Sequence, residues 1–188
     1  TNASPDNIWG VGIWEEGISA CSAEIGPFLD PLESGARVLD LGCGPGRLLV
    51  PFAASYPHLR FIGVDIIDYE RDARVPGITV GTDIEWRQGD GRRIPVVTAT
   101  LHAAYSVALF QHLPADAVIG YLRELWWCLR PGGIVRLQYV LGEDDVFLSH
   151  QLPVGRMAAW CADAGLEVLE EDIGRVHHQW AWITARRP

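Results

Sequence analysis

The 188-residue sequence contains no apolar run approaching the roughly twenty residues that span a bilayer. Its N-terminus also lacks a basic segment leading into an apolar one. A soluble, unexported, cytoplasmic protein with no membrane partner is expected. Basic residues are in short supply, with 15 Lys and Arg against 24 Asp and Glu and a net charge of −9. Nucleic-acid binding draws most of its affinity from neutralising phosphates. Arg71 with Arg74, or Arg92 with Arg93, form no dense basic stripe with interleaved aromatics and read as solvated surface, so no nucleic-acid partner is expected. Cys21, Cys43, Cys128 and Cys161 never fall into a C-x-x-C pair, which fits reduced thiols better than a zinc site or a disulfide scaffold. No internal repeat and no low-complexity tract is found.

What the chain does have is a core. With 48% hydrophobic residues over this length, one domain covering residues 1–188 is expected, too short for two comfortable ones. The most informative stretch is Val38 to Leu49, in which an apolar run ends in Asp40, Gly42, Gly44 and Gly46 fall at alternate positions, and apolar residues then resume. Glycines at these steps let the backbone take positive φ and let a ligand approach without meeting a Cβ. The turn can then press main-chain N–H groups against a nucleotide, with the positive end of the following helix behind it. A dinucleotide fingerprint needs G-x-G-x-x-G, and counting from Gly42 the last position is Arg47.

An acidic residue followed by x-G-x-G-x-G resembles motif I of the class I S-adenosylmethionine-dependent methyltransferases. In that family the acid, here Asp40, helps hold the methionine end of the cofactor, and the glycines pass beneath it. Three later segments match in order. Phe61 to Asp65 is an apolar run ending in a carboxylate where nucleotide-binding sheets offer an acid to ribose hydroxyls; Asp65 is the expected clamp, with Ile66 beside it. Glu85 to Gly91 resembles the third strand and its exit, which implies that Asp90 accepts from the adenine amino group and that the Gly91 N–H meets the ring. Without the resemblance, Gly89-Asp90-Gly91 reads as an ordinary turn. Ala103 to Pro114 resembles the fourth strand and the loop passing alongside the cofactor, which brings in Ser106 and Gln111. The resemblance runs from about Gly35 to the C-terminus. It implies S-adenosyl-L-methionine as cofactor, bound by Asp40, Gly42, Cys43, Gly44, Gly46, Asp65, Ile66, Asp90, Gly91, Ser106 and Gln111.

The fourth segment departs from the family, whose relatives often have Phe-Asp where this chain has Leu101-His102. At the strand's start, away from the ligand edge, His102 reads as structural. The nucleic-acid amino methyltransferases carry Asn or Asp, then Pro-Pro-Tyr, where this chain has Ser106-Val107-Ala108-Leu109, so that chemistry loses its support.

The pattern alternates strand and helix, the rhythm of a parallel sheet. Strands are expected near 36–41, 60–65, 83–88 and 101–106 after a helical lead-in to about Leu32. A helix starts at Leu48 to Ser55, and another runs over Ala115 to Leu129. Arg130-Pro131-Gly132-Gly133 reads as a stop signal before a strand Ile134 to Val140. A helix over Pro153 to Ala164 and strands over Leu166–Asp172 and His178–Ala185 follow. The resemblance implies a Rossmann-like α/β/α three-layer sandwich. Its seven-stranded sheet is mostly parallel, with the last strand antiparallel between the fifth and sixth.

The function implied is in-line methyl transfer to a small-molecule O, N or C nucleophile; the alternative is a catalytically silent nucleotide-binding relative. An NAD-dependent reductase is disfavoured by Arg47 and by the lack of a Tyr-x-x-x-Lys pair. His112 is the first candidate for a general base, against a reading as a helix-start histidine that packs or caps; Tyr139 and His150 come next, against pocket lining or surface. Substrate walls are expected from a lid over residues 1–32, carrying Ile8, Trp9, Ile13, Trp14, Glu15 and Glu16. An insertion, Leu141 to Leu152, carries Glu143, Asp144, Asp145 and Phe147 as well as His150. Adjacent Asp144 and Asp145 would diverge on a strand or helix, so no metal is expected. Trp126, Trp127, Trp180 and Trp182 fall in regular segments and read as core or interface.

Overall fold

The computed structural model describes residues 11–68, 84–142, 149–173 and 180–188, and of 11–18 the backbone alone, and among these alternating apolar runs and turns fold into seven strands and four helices. In chain order these are α1 (Val11–Leu29), β1 (Arg37–Leu41), α2 (Leu49–Ser55), β2 (Arg60–Asp65), β3 (Ile84–Gln88), β4 (Leu101–Ser106), a 3-10 turn at Phe110–His112, α3 (Ala115–Cys128), β5 (Leu129–Val140), α4 (Arg156–Asp163), β6 (Glu167–Ile173) and β7 (Trp180–Arg186). They form one sheet in the order β3-β2-β1-β4-β5-β7-β6. The first five pair in parallel, and β7 runs antiparallel between β5 and β6. The expected three-layer fold, with its inserted last strand, is the observed one.

Burial on both faces explains why the central strands read as mainly apolar runs without alternation. Val38, Leu39 and Leu41 of β1 are all buried. Leu39 and Leu41 face a core closed by Leu122 and Leu125 of α3 and by Met157 and Cys161 of α4. Val38, Tyr105 and Trp182 face the other side, where Cys21, Ile25 and Leu29 of α1 and Phe52 of α2 pack. That second layer also holds a charged group, for Arg136 of β5 is buried and ion-paired with Glu24 of α1 and with Asp172 of β6, the latter at 3.2 Å.

Three element boundaries differ from the expected ones. The helix after the glycine turn begins at Leu49, one residue later than expected, and is only seven residues long. The Arg130 to Gly133 phrase does not precede β5 but bulges within it. Leu129 already pairs with Leu101, and the register resumes at Ile134 opposite Ala103. Gly155 sits at φ +77°, outside the helical region, and delays α4 until Arg156.

Candidate active site

β3, β2 and β1 lie side by side, and their C-terminal ends bring Asp90, Asp65 and Asp40 to one edge of the sheet. Between them the glycine turn hooks over the end of β2, the Gly42 and Cys43 N–H groups donating to the Val64 carbonyl at 2.8 and 3.2 Å. All three glycines hold positive φ. A Cβ on Gly42 would stand 3.0 Å from Leu109, which packs down from the loop after β4, and one on Gly46 would stand 2.6 Å from the Trp86 ring. At Gly44 a Cβ would meet nothing within 4 Å among the described residues, so here the turn faces space they leave open.

Asp65 braces this turn. One carboxylate oxygen accepts the Gly44 N–H at 2.9 Å and the other accepts the Ile67 N–H at 3.1 Å. Beside it Ile66 is 61% exposed, a bare apolar surface next to Gly91 that suits a flat heteroaromatic ring. Asp90 accepts the Arg92 and Arg93 N–H groups at 2.8 and 2.7 Å, and these bonds draw its pKa below the ordinary carboxylate value. It therefore shapes the Gly89-Asp90-Gly91 turn, whatever it binds.

Asp40 is buried, and its pKa is raised to about 7 by desolvation, with the Tyr105 hydroxyl drawing it partly back and the Asp65 charge adding to the rise. Among the described residues none of the groups acting on it is cationic. The Tyr105 hydroxyl itself reaches no hydrogen bond of regular geometry. A buried carboxylate without a cation is costly, and a ligand ammonium would relieve it.

Two cofactor candidates turn their side chains inward. The Ser106 hydroxyl is wholly buried and donates to the Leu41 carbonyl at 2.7 Å, joining β4 to β1. Cys43 is buried beneath Gly63, with its thiol pKa pushed up by burial and by Asp40 and Asp65. Both shape the site from behind, and only the Cys43 backbone belongs to the turn.

Of the candidates for a base, His112 is exposed at the end of the 3-10 turn, its Nε2 3.4 Å from Gln111 Nε2. Gln111 Oε1 is buried without a hydrogen-bond partner. The exposed His150 is brought to the same loop, its backbone N–H donating to the Gln111 carbonyl at 2.6 Å. Tyr139 is a correction. It is buried, and its hydroxyl donates to the Glu171 carboxylate on β6, which together with desolvation pushes its pKa far up. It braces the sheet and cannot serve as a base. His102 accepts the Arg37 N–H at 3.1 Å at the opposite end of β4, the structural role expected of it.

Residues 1–10 and 143–148, with Ile8, Trp9, Glu143, Asp144, Asp145 and Phe147, lie outside the described residues, as do the side chains of Ile13, Trp14, Glu15 and Glu16. Among the described residues no group of acids, histidines and cysteines is placed to hold a metal, and no helix is long and apolar enough to cross a membrane. Trp182 is core, whereas Trp127 is 55% exposed. Sequence reasoning missed Gln138 of β5, buried with its Oε1 accepting the Ala108 N–H at 2.7 Å. The available signal was an amide, in phase with Arg136, in an otherwise apolar strand.

Comparison with known proteins agrees with this geometry. A family of methyltransferase domains matches residues 38–133, about half of the chain. A trans-aconitate 2-methyltransferase of Azoarcus sp. (strain BH72) is 34% identical over 133 residues, covering 70% of this chain and 49% of that protein. The chain spans about half the length of the first curated relatives it matches. Among solved structures, the [4+2]-cyclase SpnF superposes with a TM-score of 0.72 at 17% identity, covering 90% of this chain and 82% of that one. An S-adenosylmethionine-dependent methyltransferase from Mesorhizobium loti superposes with a TM-score of 0.70 at 16% identity, covering 90% of this chain and all of the other. With its strand order, its glycine turn between Asp40 and Gly46 and the match over residues 38–133, the chain belongs to the class I S-adenosylmethionine-dependent methyltransferases.

Proposed function

We propose that this protein transfers a methyl group from S-adenosylmethionine to the oxygen, nitrogen or carbon of a small-molecule acceptor. The observation that carries the reading is Asp40, a buried carboxylate raised to about 7 with no cationic group among the described residues acting on it, two residues ahead of the glycine turn. The cofactor's ammonium is the charge it calls for. Asp65 retains lone pairs for ribose hydroxyls, since a carboxylate offers about four acceptor sites and the backbone uses two. Ile66 and Gly91 offer the surface for the adenine ring.

Bound there, S-adenosylmethionine supplies a methyl group already activated by its sulfonium. The chain's own part is to align acceptor and methyl and to exclude water. The loop after β4 stands over the turn, with Leu109 against Gly42, and carries His112 to the rim, where it can take a proton if the acceptor arrives protonated. A small acceptor is supported by the trans-aconitate methyltransferase similarity and by the lack of a basic stripe.

Calorimetric titration with S-adenosylmethionine, S-adenosylhomocysteine and NAD tests the reading, followed by an acceptor screen that detects released S-adenosylhomocysteine. Binding of the two sulfur nucleosides and not of NAD is expected. Silence from both in folded, ligand-free protein would overturn it, and binding without turnover across the screen would favour a nucleotide-binding module.

A further inference from the structure

Gln138 on β5 and Trp182 on β7 are direct cross-strand neighbours, and they are 1% and 2% exposed. Among the described residues Gln138 Nε2 and Trp182 Nε1 both lack a hydrogen-bond partner. Buried polar groups are ordinarily satisfied, so two orphaned donors on adjacent residues call for a missing acceptor. The orientation of the amide is fixed. Its oxygen takes the Ala108 N–H at 2.7 Å, and flipping it would set donor against donor. Ala108 holds φ +56°, a conformation costly for a non-glycine residue, so this bond secures a strained turn directly after β4. The indole is held as well, with the Arg136 guanidinium 5.3 Å over its ring.

Gln138 follows Leu137, which pairs with Ser106 at the end of β4, so the pair stands at the same C-terminal edge of the sheet as the three acids. Asp40, Asp65 and Asp90 belong to β1, β2 and the exit of β3, whereas β5 and β7 lie beyond β4. On this face α1 does not seal the sheet. A cavity of about 330 Å³ lies between α1 and the sheet one same-face step back from the pair, lined by Glu24, Phe28, Arg136, Glu170, Asp172 and Thr184 and not by the pair itself, which faces the C-terminal edge beyond it. An amide NH₂ and an indole N–H only donate, so the partner must present an oxygen that accepts, and an ammonium is rejected.

We propose that Gln138 Nε2 and Trp182 Nε1 form a paired donor site that grips a carbonyl or carboxylate oxygen of the methyl-accepting substrate. This rests on the methyl-transfer reading above, and it makes the acceptor an oxo compound or carboxylic acid. Gln138 also positions the loop after β4, so occupancy of the pair and the placement of Leu109 over the turn are linked through Ala108.

The test is NMR of protein labelled with ¹⁵N at the tryptophan indoles, saturated with S-adenosylhomocysteine and titrated with trans-aconitate, its trimethyl ester or catechol. Trp182→Phe identifies the Trp182 signal. The Trp182 indole resonance is expected to move downfield and saturably with trans-aconitate, with the ester or with both, and to stay in place with catechol. A response to the acid alone makes the ligand group a carboxylate, and a response to the ester a carbonyl. Gln138→Glu keeps an oxygen for the Ala108 N–H but removes the amide donor. It should weaken the responding probe by about tenfold, the scale of one lost hydrogen bond, with a lower thermal midpoint because the new carboxylate is buried. Trp182→Phe, which removes the indole donor without adding a charge, should show a loss of the same size while leaving S-adenosylhomocysteine affinity close to wild type. An unmoved Trp182 signal with both oxo probes, equal probe affinity in Gln138→Glu, or a long-lived buried water that no probe displaces would each overturn the proposal. If S-adenosylhomocysteine itself fails to bind, the methyl-transfer reading falls, and the same titrations without it still decide whether the pair binds an oxygen.

Discussion

The Asp65 carboxylate accepts the N–H of Gly44 at 2.9 Å across 21 residues of sequence, so the acid at the end of β2 and the middle of the glycine turn form one rigid unit. Asp65 is therefore both a proposed ribose ligand and a brace for the turn that would lie beneath the cofactor. Asp65→Ala should weaken S-adenosylmethionine binding by about 1 to 3 kcal/mol, the range for hydrogen bonds to a charged group, and should also lower the thermal midpoint. Asp65→Asn keeps an oxygen for the Gly44 N–H. It should retain most of the stability while still losing affinity, which calorimetry and thermal melts on the two variants would show. Unchanged affinity in both would remove Asp65 from the site.

Asp40 predicts a pH dependence with a definite sign. Its folded pKa, about 7, lies above the ordinary value of 3.8, so the native state binds the proton more tightly than the unfolded chain does. Its contribution to stability is fully present below pH 4 and is lost as pH rises through about 7. Cofactor binding runs the other way, because an ammonium favours the ionised carboxylate. Affinity should rise with pH toward about 7 and level off above it. Binding below that pH should release a proton, visible as a dependence of calorimetric enthalpy on buffer ionisation heat. Asp40→Asn should flatten both profiles and bind the cofactor more weakly.

The strands and the cofactor edge were legible because both are written in local sequence. Val38 to Leu41 and Phe61 to Val64 are buried on both faces and so are apolar apart from Asp40, and the glycines mark the turn. What could not be read locally depends on partners far along the chain. Tyr139 looks like a pocket residue until Glu171 is found beside it, 32 residues away. Ser106 looks like a ligand until it meets Leu41, 65 residues away. The start of β5 was missed because Leu129 pairs with Leu101 ahead of a bulge that reads as a helix stop.

Arg136 shows the same dependence on distant partners, and its removal should be costly. It is buried, paired with Glu24 of α1 and Asp172 of β6, and its Nη1 donates to the Thr184 hydroxyl at 2.7 Å. Arg136→Met leaves two carboxylates in a poorly solvated layer without their cation, and loss of one partner of a buried pair costs about 3 to 5 kcal/mol. Urea denaturation should report a loss of that order. The triple variant Arg136→Met, Glu24→Gln, Asp172→Asn should recover part of it, since no stranded charge remains. If the single variant loses under about 1 kcal/mol, the range of an exposed pair, the network is solvated and α1 is not anchored through it.

Gly44 and Gly46 stand two residues apart in the same turn yet should respond oppositely to the same change. Both hold positive φ, so alanine at either carries a backbone cost of about 1 to 2 kcal/mol. At Gly46 the added methyl would also lie 2.6 Å from the Trp86 ring and 3.1 Å from Val50, inside the protein. Gly46→Ala should therefore lose stability beyond the backbone term, and Trp86→Leu in the same chain should return part of the loss, a coupling that a double-mutant cycle on denaturation midpoints would measure. At Gly44 the methyl meets nothing within 4 Å among the described residues and projects into the space assigned to the cofactor. Gly44→Ala should fold with only the backbone cost but bind S-adenosylhomocysteine far more weakly. If it instead binds normally, the open side of the turn is not where the cofactor lies, and the placement of the site along the edge from Asp40 to Asp90 would have to be redrawn.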